Sequence, residues 1–379
     1  MKFDTTCVHG FKNKFNSVGS INVPIFQTAP YKHSRMGDQS EYGYTRLDNP
    51  TREAAEGLVA ALEGAKGALA FTSGMAAISA IAWIFEPGSH IIATDDLYGG
   101  AITLFRNYLS GIQVDFVNTS DINSIVSKIK SNTKAVYIET PTNPMMQVTD
   151  IAGVKEIMPK DALLIVDNTF LTPYFQRPLT LGADIVIHSG TKYLCGHNDT
   201  LCGFLVSNDT DLLEQLKSIR TTFGSPLAPM DSFLLIRGIK TLALRMEKAQ
   251  QNAMEIAAWL CTHPKIKNTH YTGLQGHSGY DVMKKQTTGF GAMVSFEVDT
   301  KETAQKVLLG VKIITFAESL GGVETLITYP MENTHGEVPE AERMARGIND
   351  RLLRLSVGIE NAADLIGDLE QALGKYEES

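Results

Sequence analysis

Along the first two thirds of the chain, short continuous apolar runs alternate with stretches in which apolar residues recur at helical spacing. The runs at 68–71, 90–94, 113–117, 134–139, 162–167, 184–188 and 203–206 read as buried strands. Helices are expected between them at 51–63, 76–85, 101–109, 122–129, 150–158 and 210–220. Alternating strand and helix predicts an α/β domain, a mostly parallel sheet with helices on both faces. The residues Gly224-Ser-Pro-Leu-Ala-Pro229 break this rhythm. A long helix is expected from 239 to about 261. Strands at 292–297, 313–317, 325–329 and 352–357 follow, with helices at 301–309 and 362–373, a smaller α+β unit. The first 45 residues have weak periodicity and read as an extended arm. The chain thus divides into an arm (1–45), an α/β domain (46–230) and a C-terminal α+β domain (231–379).

Composition narrows the partners. Lys and Arg total 34 against 42 Asp and Glu, a net charge of −8, which argues against nonspecific nucleic-acid or anionic-membrane binding. No apolar run reaches membrane-spanning length, and Met1-Lys-Phe-Asp-Thr-Thr6 lacks a signal-peptide core. Cys7, Cys195, Cys202 and Cys261 are too few for a disulfide framework, so a reducing cytoplasm is expected. Cys195, His197 and Cys202 lie close together, but no second ligand pair follows at zinc-site spacing, and no metal is expected.

The chemistry gathers where strands end. The run at 184–188 leads into Ser189-Gly190-Thr191-Lys192-Tyr193, and the run at 162–166 ends in Asp167. A lysine at the close of a buried strand is costly unless it is paired, neutralised or covalently used. Pyridoxal phosphate (PLP) uses both residues, a lysine amine and an acid against its pyridinium nitrogen. A surface lysine and a capping aspartate fit the same residues, and the pair alone leaves both readings open. Thr72-Ser73-Gly74-Met75 stands between strand and helix, either a phosphate cradle or an ordinary N-cap serine. Tyr98, before Gly99 and Gly100, faces the usual ligand crevice of an α/β sheet and suits stacking on a flat ring. Thr140-Pro-Thr-Asn-Pro144 is a rigid turn, with room for a cis bond, that holds Asn143 toward the same crevice. The segment Tyr44–Arg52 wraps a partner subunit, binds an anion or is a solvated loop. Arg354, inside an apolar strand, calls for an anion, either a substrate α-carboxylate or an internal ion-pair partner.

Seven pieces in order carry a resemblance: Tyr44-Thr-Arg46 with Asn49-Pro-Thr-Arg52, Thr72-Ser-Gly-Met75, Asp96-Leu-Tyr-Gly-Gly100, Glu139-Thr-Pro-Thr-Asn-Pro144, Val166-Asp-Asn-Thr169, Ser189-Gly-Thr-Lys-Tyr193 with Gly196-His197, and Glu318-Ser-Leu-Gly-Gly322. Over essentially its whole length the sequence resembles the cystathionine γ-synthase/γ-lyase family of PLP-dependent enzymes of fold type I. That resemblance implies PLP as cofactor, Lys192 as its covalent anchor and Asp167 as the acid at its ring nitrogen. Tyr98 would stack on the ring and assist proton traffic. Gly74, Met75, Ser189 and Thr191 would hold the phosphate, Asn143 would orient the ring hydroxyl side, and Ser73 and Thr169 complete the cofactor-binding set. Tyr44 and Arg46 would reach a neighbouring subunit's phosphate, implying at least a dimer with shared sites and, beyond that, a homotetramer. Ser319 and Arg354 would grip the α-carboxylate of an amino-acid substrate, with Glu318 beside them.

Within the family the implied activity is a carbon–sulfur lyase of transsulfuration acting on cystathionine, γ-elimination ahead of β, with cysteine or homocysteine as related substrates. Glu318 matches the γ-lyase and γ-synthase pattern, and Gly100 falls where methionine γ-lyases often carry cysteine. Thr103 replaces an arginine of animal γ-lyases that faces distal cystathionine. The segment 326–330, with Thr334-His335-Gly336, resembles bacterial β- or γ-lyases. Gly190 replaces the usual alanine, with little effect expected. The alternatives are a γ-synthase that joins an O-acylhomoserine to cysteine and a PLP-binding protein without turnover. No helix-turn-helix segment is left over for a regulator.

Overall fold

The computed structural model describes residues 1–11, 18–38, 40–333, 336 and 339–374. Thr334 and His335 of the lyase-like segment lie outside the described residues. In chain order the strands of the larger sheet are β1 (Gly67–Phe71), β2 (His90–Thr94), β3 (Gln113–Val117), β4 (Thr133–Glu139), β5 (Leu163–Asp167), β6 (Ile185–His188) and β7 (Gly203–Ser207). Their spatial order is β1-β7-β6-β5-β4-β2-β3. The five strands from β6 to β3 are parallel, while β7 runs antiparallel to both β6 and β1. The reason lies in the connections. Helical crossovers return the chain for parallel pairing, whereas after β6 it passes through the Lys192 loop with no crossover helix and comes back reversed. Apolar side chains fill both faces of this sheet, so its central strands are buried on both sides.

The second sheet comprises β8 (Ile266–His270), β9 (Met293–Val298), β10 (Thr315–Phe316), β11 (Leu326–Thr328) and β12 (Leu352–Ser356), ordered β10-β11-β12-β9-β8. Helices Lys301–Gly310 and Ala362–Leu373 pack together beside it. Among the described residues no helix is long and apolar enough to cross a membrane.

Several elements depart from the sequence expectation. The arm contains a helix, Phe3–His9, whose Cys7 is buried against the core. The segment after Pro229 is helical from Pro229 to Ile239 and packs on helix Pro50–Glu63 before the long helix Leu242–Leu260 begins. A proline at the first helical position starts a helix as readily as one elsewhere breaks it. β8 has a single apolar residue, Ile266, because it lies at a sheet edge and is half exposed. The rigid turn has two cis bonds, Thr140-Pro141 and Asn143-Pro144, where the sequence left room for one.

The loop before helix Pro50–Glu63 is tied down by Arg52, which is 1% exposed. Its guanidinium donates to the carbonyls of Thr45 at 2.8 Å and Leu47 at 2.9 Å. Asn49 caps the helix by accepting from the Thr51 and Arg52 amides. Arg52 therefore shapes the loop, while Tyr44 remains 42% exposed.

Candidate active site

β4, β5 and β6 end side by side, and their carboxyl ends form the floor of a crevice. A cavity of about 190 Å³ opens there. Ser73, Gly74, Met75, Tyr98 and Asn143 line it from one side. Asp167, Thr169, Ser189, Thr191 and Lys192 line it from the other. The fold thus gathers ten of the anticipated cofactor residues around one space. Tyr44 and Arg46 stand apart from it on their own chain. Arg46 donates to the Thr221 carbonyl at 2.9 Å and lies over the Tyr44 ring.

One end of the cavity suits an anion. Helix Gly74–Ala82 points its amino terminus at it, and the Ser73 hydroxyl caps that helix by accepting the Ala76 N–H at 3.0 Å. The N-cap reading of Ser73 is therefore correct and compatible with the cradle. A Cβ at Gly74 would stand 3.0 Å from the Ser189 Cβ, so the glycine keeps the cradle open. The Thr191 hydroxyl is engaged with the Cys202 backbone, donating to its carbonyl at 3.1 Å and accepting its N–H at 2.9 Å. Gly190 is constrained more than anticipated. A Cβ there would lie 2.6 Å from the Cys202 Sγ and 3.2 Å from the Phe204 ring, so this chain has filled the methyl's place from below.

At the other end stands Asp167, 8% exposed. Its Oδ1 accepts the Thr169 amide at 3.0 Å and the Thr169 hydroxyl at 2.5 Å. Burial pushes the carboxyl above its ordinary range, while Thr169 and the nearby His188 pull it back. His188 forms a buried pair with Glu63, Nε2 to Oε1 at 2.6 Å, which the sequence reading did not foresee.

Lys192 joins this cavity to a second one of about 410 Å³, lined by Tyr98, Asn143, Glu318, Ser319 and Arg354 among others. Its Nζ donates to Ser319 Oγ at 2.9 Å. Burial, and then the Arg354 charge, bring the amine from 10.5 down to about 8. Ser319 has φ +85°, strained for a residue with a Cβ. Gly321 has φ +79°, and a Cβ there would stand 2.6 Å from the Tyr193 amide. That close approach presses the 318–322 loop against the lysine. Arg354 is 1% exposed. It donates to Asn143 Oδ1 at 2.7 Å and to the Ser319 carbonyl at 3.0 Å. Its Nε is buried with no partner among the described residues. Among the described residues no carboxylate hydrogen-bonds the guanidinium, although Glu139 and Glu318 act on it through their charge, and an incoming carboxylate would satisfy the Nε.

The sequence profile of the Cys/Met metabolism PLP-dependent enzymes matches residues 4–374. The chain belongs to this family. It is 47% identical over 376 residues to a cystathionine γ-lyase of Bacillus subtilis, covering 98% of this chain and 99% of the relative. A cystathionine β-lyase of Lactococcus lactis is 44% identical over 374 residues, 98% of each chain. Among solved structures, a cystathionine γ-lyase from Lactobacillus plantarum, complexed with L-serine, superposes with a TM-score of 0.96 at 42% identity over 98% of both chains. The resemblance drawn from the motifs is thereby established, with its PLP dependence and its fold. The cavity fits that cofactor on structural grounds of its own: a glycine-opened anion cradle, a buried carboxyl opposite it, and the Lys192 amine in its lining. Besides the His188–Glu63 pair, three features of the site escaped the sequence reading: the use of Asn143 to orient Arg354, the strained Ser319, and the buried Glu139 beside Asp167. Glu139 stood in a recognised motif, but only strand pairing places it against Asp167.

Proposed function

We propose that the protein is a lyase that cleaves cystathionine at its Cγ–S bond, yielding cysteine, 2-oxobutyrate and ammonia, with cysteine or homocysteine as related substrates. The observation that carries this reading is the placement of Lys192, whose amine bonds to Ser319 where the cavities containing Asp167 and Arg354 meet. Ser73, Gly74, Met75, Ser189 and Thr191 would hold the cofactor phosphate. Asp167, set by Thr169, would meet the ring nitrogen, Tyr98 would cover the ring, and Asn143 would flank its hydroxyl side. Bound pyridoxal phosphate supplies an electron sink for charge developing at the substrate α-carbon. Arg354 and Ser319 take the α-carboxylate, and Glu318 borders the space beyond it. Lys192, an amine that burial and the Arg354 charge make easier to deprotonate, removes the α-proton. For γ-elimination it then moves a second proton from Cβ before the thiol leaves, and β-elimination needs only the first transfer.

Tyr44 and Arg46, remote from the cavity of their own chain, are proposed to complete that of a second copy, in a dimer and, by pairing of dimers, a tetramer. The four cysteines are free thiols, and the Cys195 and Cys202 sulfurs share a hydrogen bond at 3.4 Å, which suits a reducing cytoplasm. A division into arm, α/β domain and α+β domain is proposed, with the second boundary moved from 230 to about 240, because helix Pro229–Ile239 packs on helix Pro50–Glu63; Lys192 and Arg354 come from either side of it.

Incubation of the PLP-loaded protein with cystathionine, with identification of the oxoacid, tests the function. 2-Oxobutyrate is expected. Pyruvate would reassign the enzyme to β-elimination. Synthesis of cystathionine from an O-acylhomoserine and cysteine, without cleavage, would make it a γ-synthase.

A further inference from the structure

Glu139 is buried in the cavity wall, 7% exposed, and the reaction proposed above gives it no task. It ends β4 and is in register with Asp167, which ends the parallel neighbour β5. Partners in register point to the same face of a sheet. The two carboxyl groups therefore stand side by side over one cavity. Their bonding differs. Asp167 accepts two bonds from Thr169, at 3.0 and 2.5 Å, whereas Glu139 Oε2 accepts the Tyr98 amide at a longer 3.2 Å, with a smaller contribution from the Asn143 backbone. Two adjacent carboxyl groups in a dry wall do not both ionise, and a pyridinium nitrogen calls for one negative charge.

We infer that Glu139 is a neutral carboxylic acid in the working enzyme, a positioning residue that fastens the Tyr98 backbone to the end of β4 and leaves Asp167 as the single charge opposite the cofactor. The surrounding groups pull in both directions, with burial and like charge the largest influences. Asp167 and Asp96 face Glu139 with like charge, and Tyr137 lies two residues earlier on β4. Arg354, which interacts with Glu139 through its charge, favours ionisation instead, as does Lys192 across the cavities, and His188 lies beyond Asp167. Burial, and next the Asp167 charge, push the Glu139 carboxyl well above its ordinary range, opposed by the Tyr98 and Asn143 backbone bonds. This role rests on the reading of the cavity as a PLP site.

The test compares Glu139→Gln and Glu139→Ala with the wild type, both PLP-loaded and cofactor-free. Glutamine is neutral and keeps a carbonyl to accept the Tyr98 amide, and alanine keeps neither. At pH 7 the infrared spectrum of the wild type should contain a carboxylic-acid C=O band that is missing from Glu139→Gln. Glu139→Ala should lose about tenfold in kcat and in PLP affinity, the worth of one backbone-to-side-chain bond, and Glu139→Gln should recover most of both. A glutamine variant as impaired as the alanine variant, or the same infrared spectrum in wild type and Glu139→Gln, would overturn the inference. So would an alanine variant equal to wild type. If the wild type takes up no PLP, the functional reading fails instead, and the infrared comparison of the cofactor-free chains still decides the protonation of Glu139.

Discussion

Replacing Lys192 by methionine in the cofactor-free protein would expose the electrostatic cost of this site. The native structure holds the amine at about 8 instead of 10.5, through burial first and Arg354 second, with Glu318 opposing. That gap corresponds to about 3 kcal/mol against the charged amine in the native state. Below pH 8 both native and unfolded chains carry the proton, and the full penalty is present. Between pH 8 and about 10.5 the native chain releases the proton while the unfolded chain keeps it. The unfolded state then binds more protons, so wild-type stability rises with pH across this window. Methionine has similar length and no charge, and it removes both the penalty and the slope. Loss of the bond to Ser319 offsets about 1 kcal/mol of the gain. The variant is expected to be about 2 kcal/mol more stable at pH 7 by urea unfolding at constant m, with the difference closing at about pH 10 and changing sign above it, where only the lost Ser319 bond remains. Other groups titrate alike in both proteins and cancel. A variant less stable than wild type at pH 7, or a difference constant from pH 7 to 10.5, would refute the reasoning.

Arg354→Lys keeps the charge but loses the fork, and kcat/KM for cystathionine should fall by about 1.5–3 kcal/mol, roughly 10- to 100-fold, with PLP absorbance retained. An effect within twofold would remove Arg354 from substrate binding. Gly190→Ala should destabilise the chain by about 1–3 kcal/mol through overpacking on Cys202 and Phe204, and adding Cys202→Ala should restore much of it in the same unfolding assay. Equal stability of Gly190→Ala and wild type would contradict the packing described. Mixed Arg46→Ala and Lys192→Ala chains should regain lyase activity in hybrid dimers, each hybrid containing one intact shared site. Verified hybrids without activity would rule out the shared site.

The apolar patterning was sufficient for the sheet that carries the chemistry. β2 and β3 lie where their runs predict, and β4 to β6 differ by a residue at their starts. Buried parallel strands are continuous apolar runs, the clearest local signal a chain offers. Edge strand β8 and helix Pro229–Ile239 were hidden because exposure had removed apolar residues from one and proline had disguised the start of the other.

Sequence alone determined the site's membership: the lysine after β6, the acid ending β5, the glycine of the cradle and the arginine within an apolar strand. Residue type and motif order suffice for that, because the chemistry restricts which groups can serve. The working state of those groups was decided by tertiary structure. Residues 192 and 354 are 162 positions apart, and only the packing of the two sheets puts their charges close enough to lower the amine. Glu139 and Asp167 become neighbours through strand pairing, and the methyl space at Gly190 is closed by Cys202 from the returning strand. Charge coupling, burial and steric exclusion depend on distances in space, and those distances are fixed by the fold.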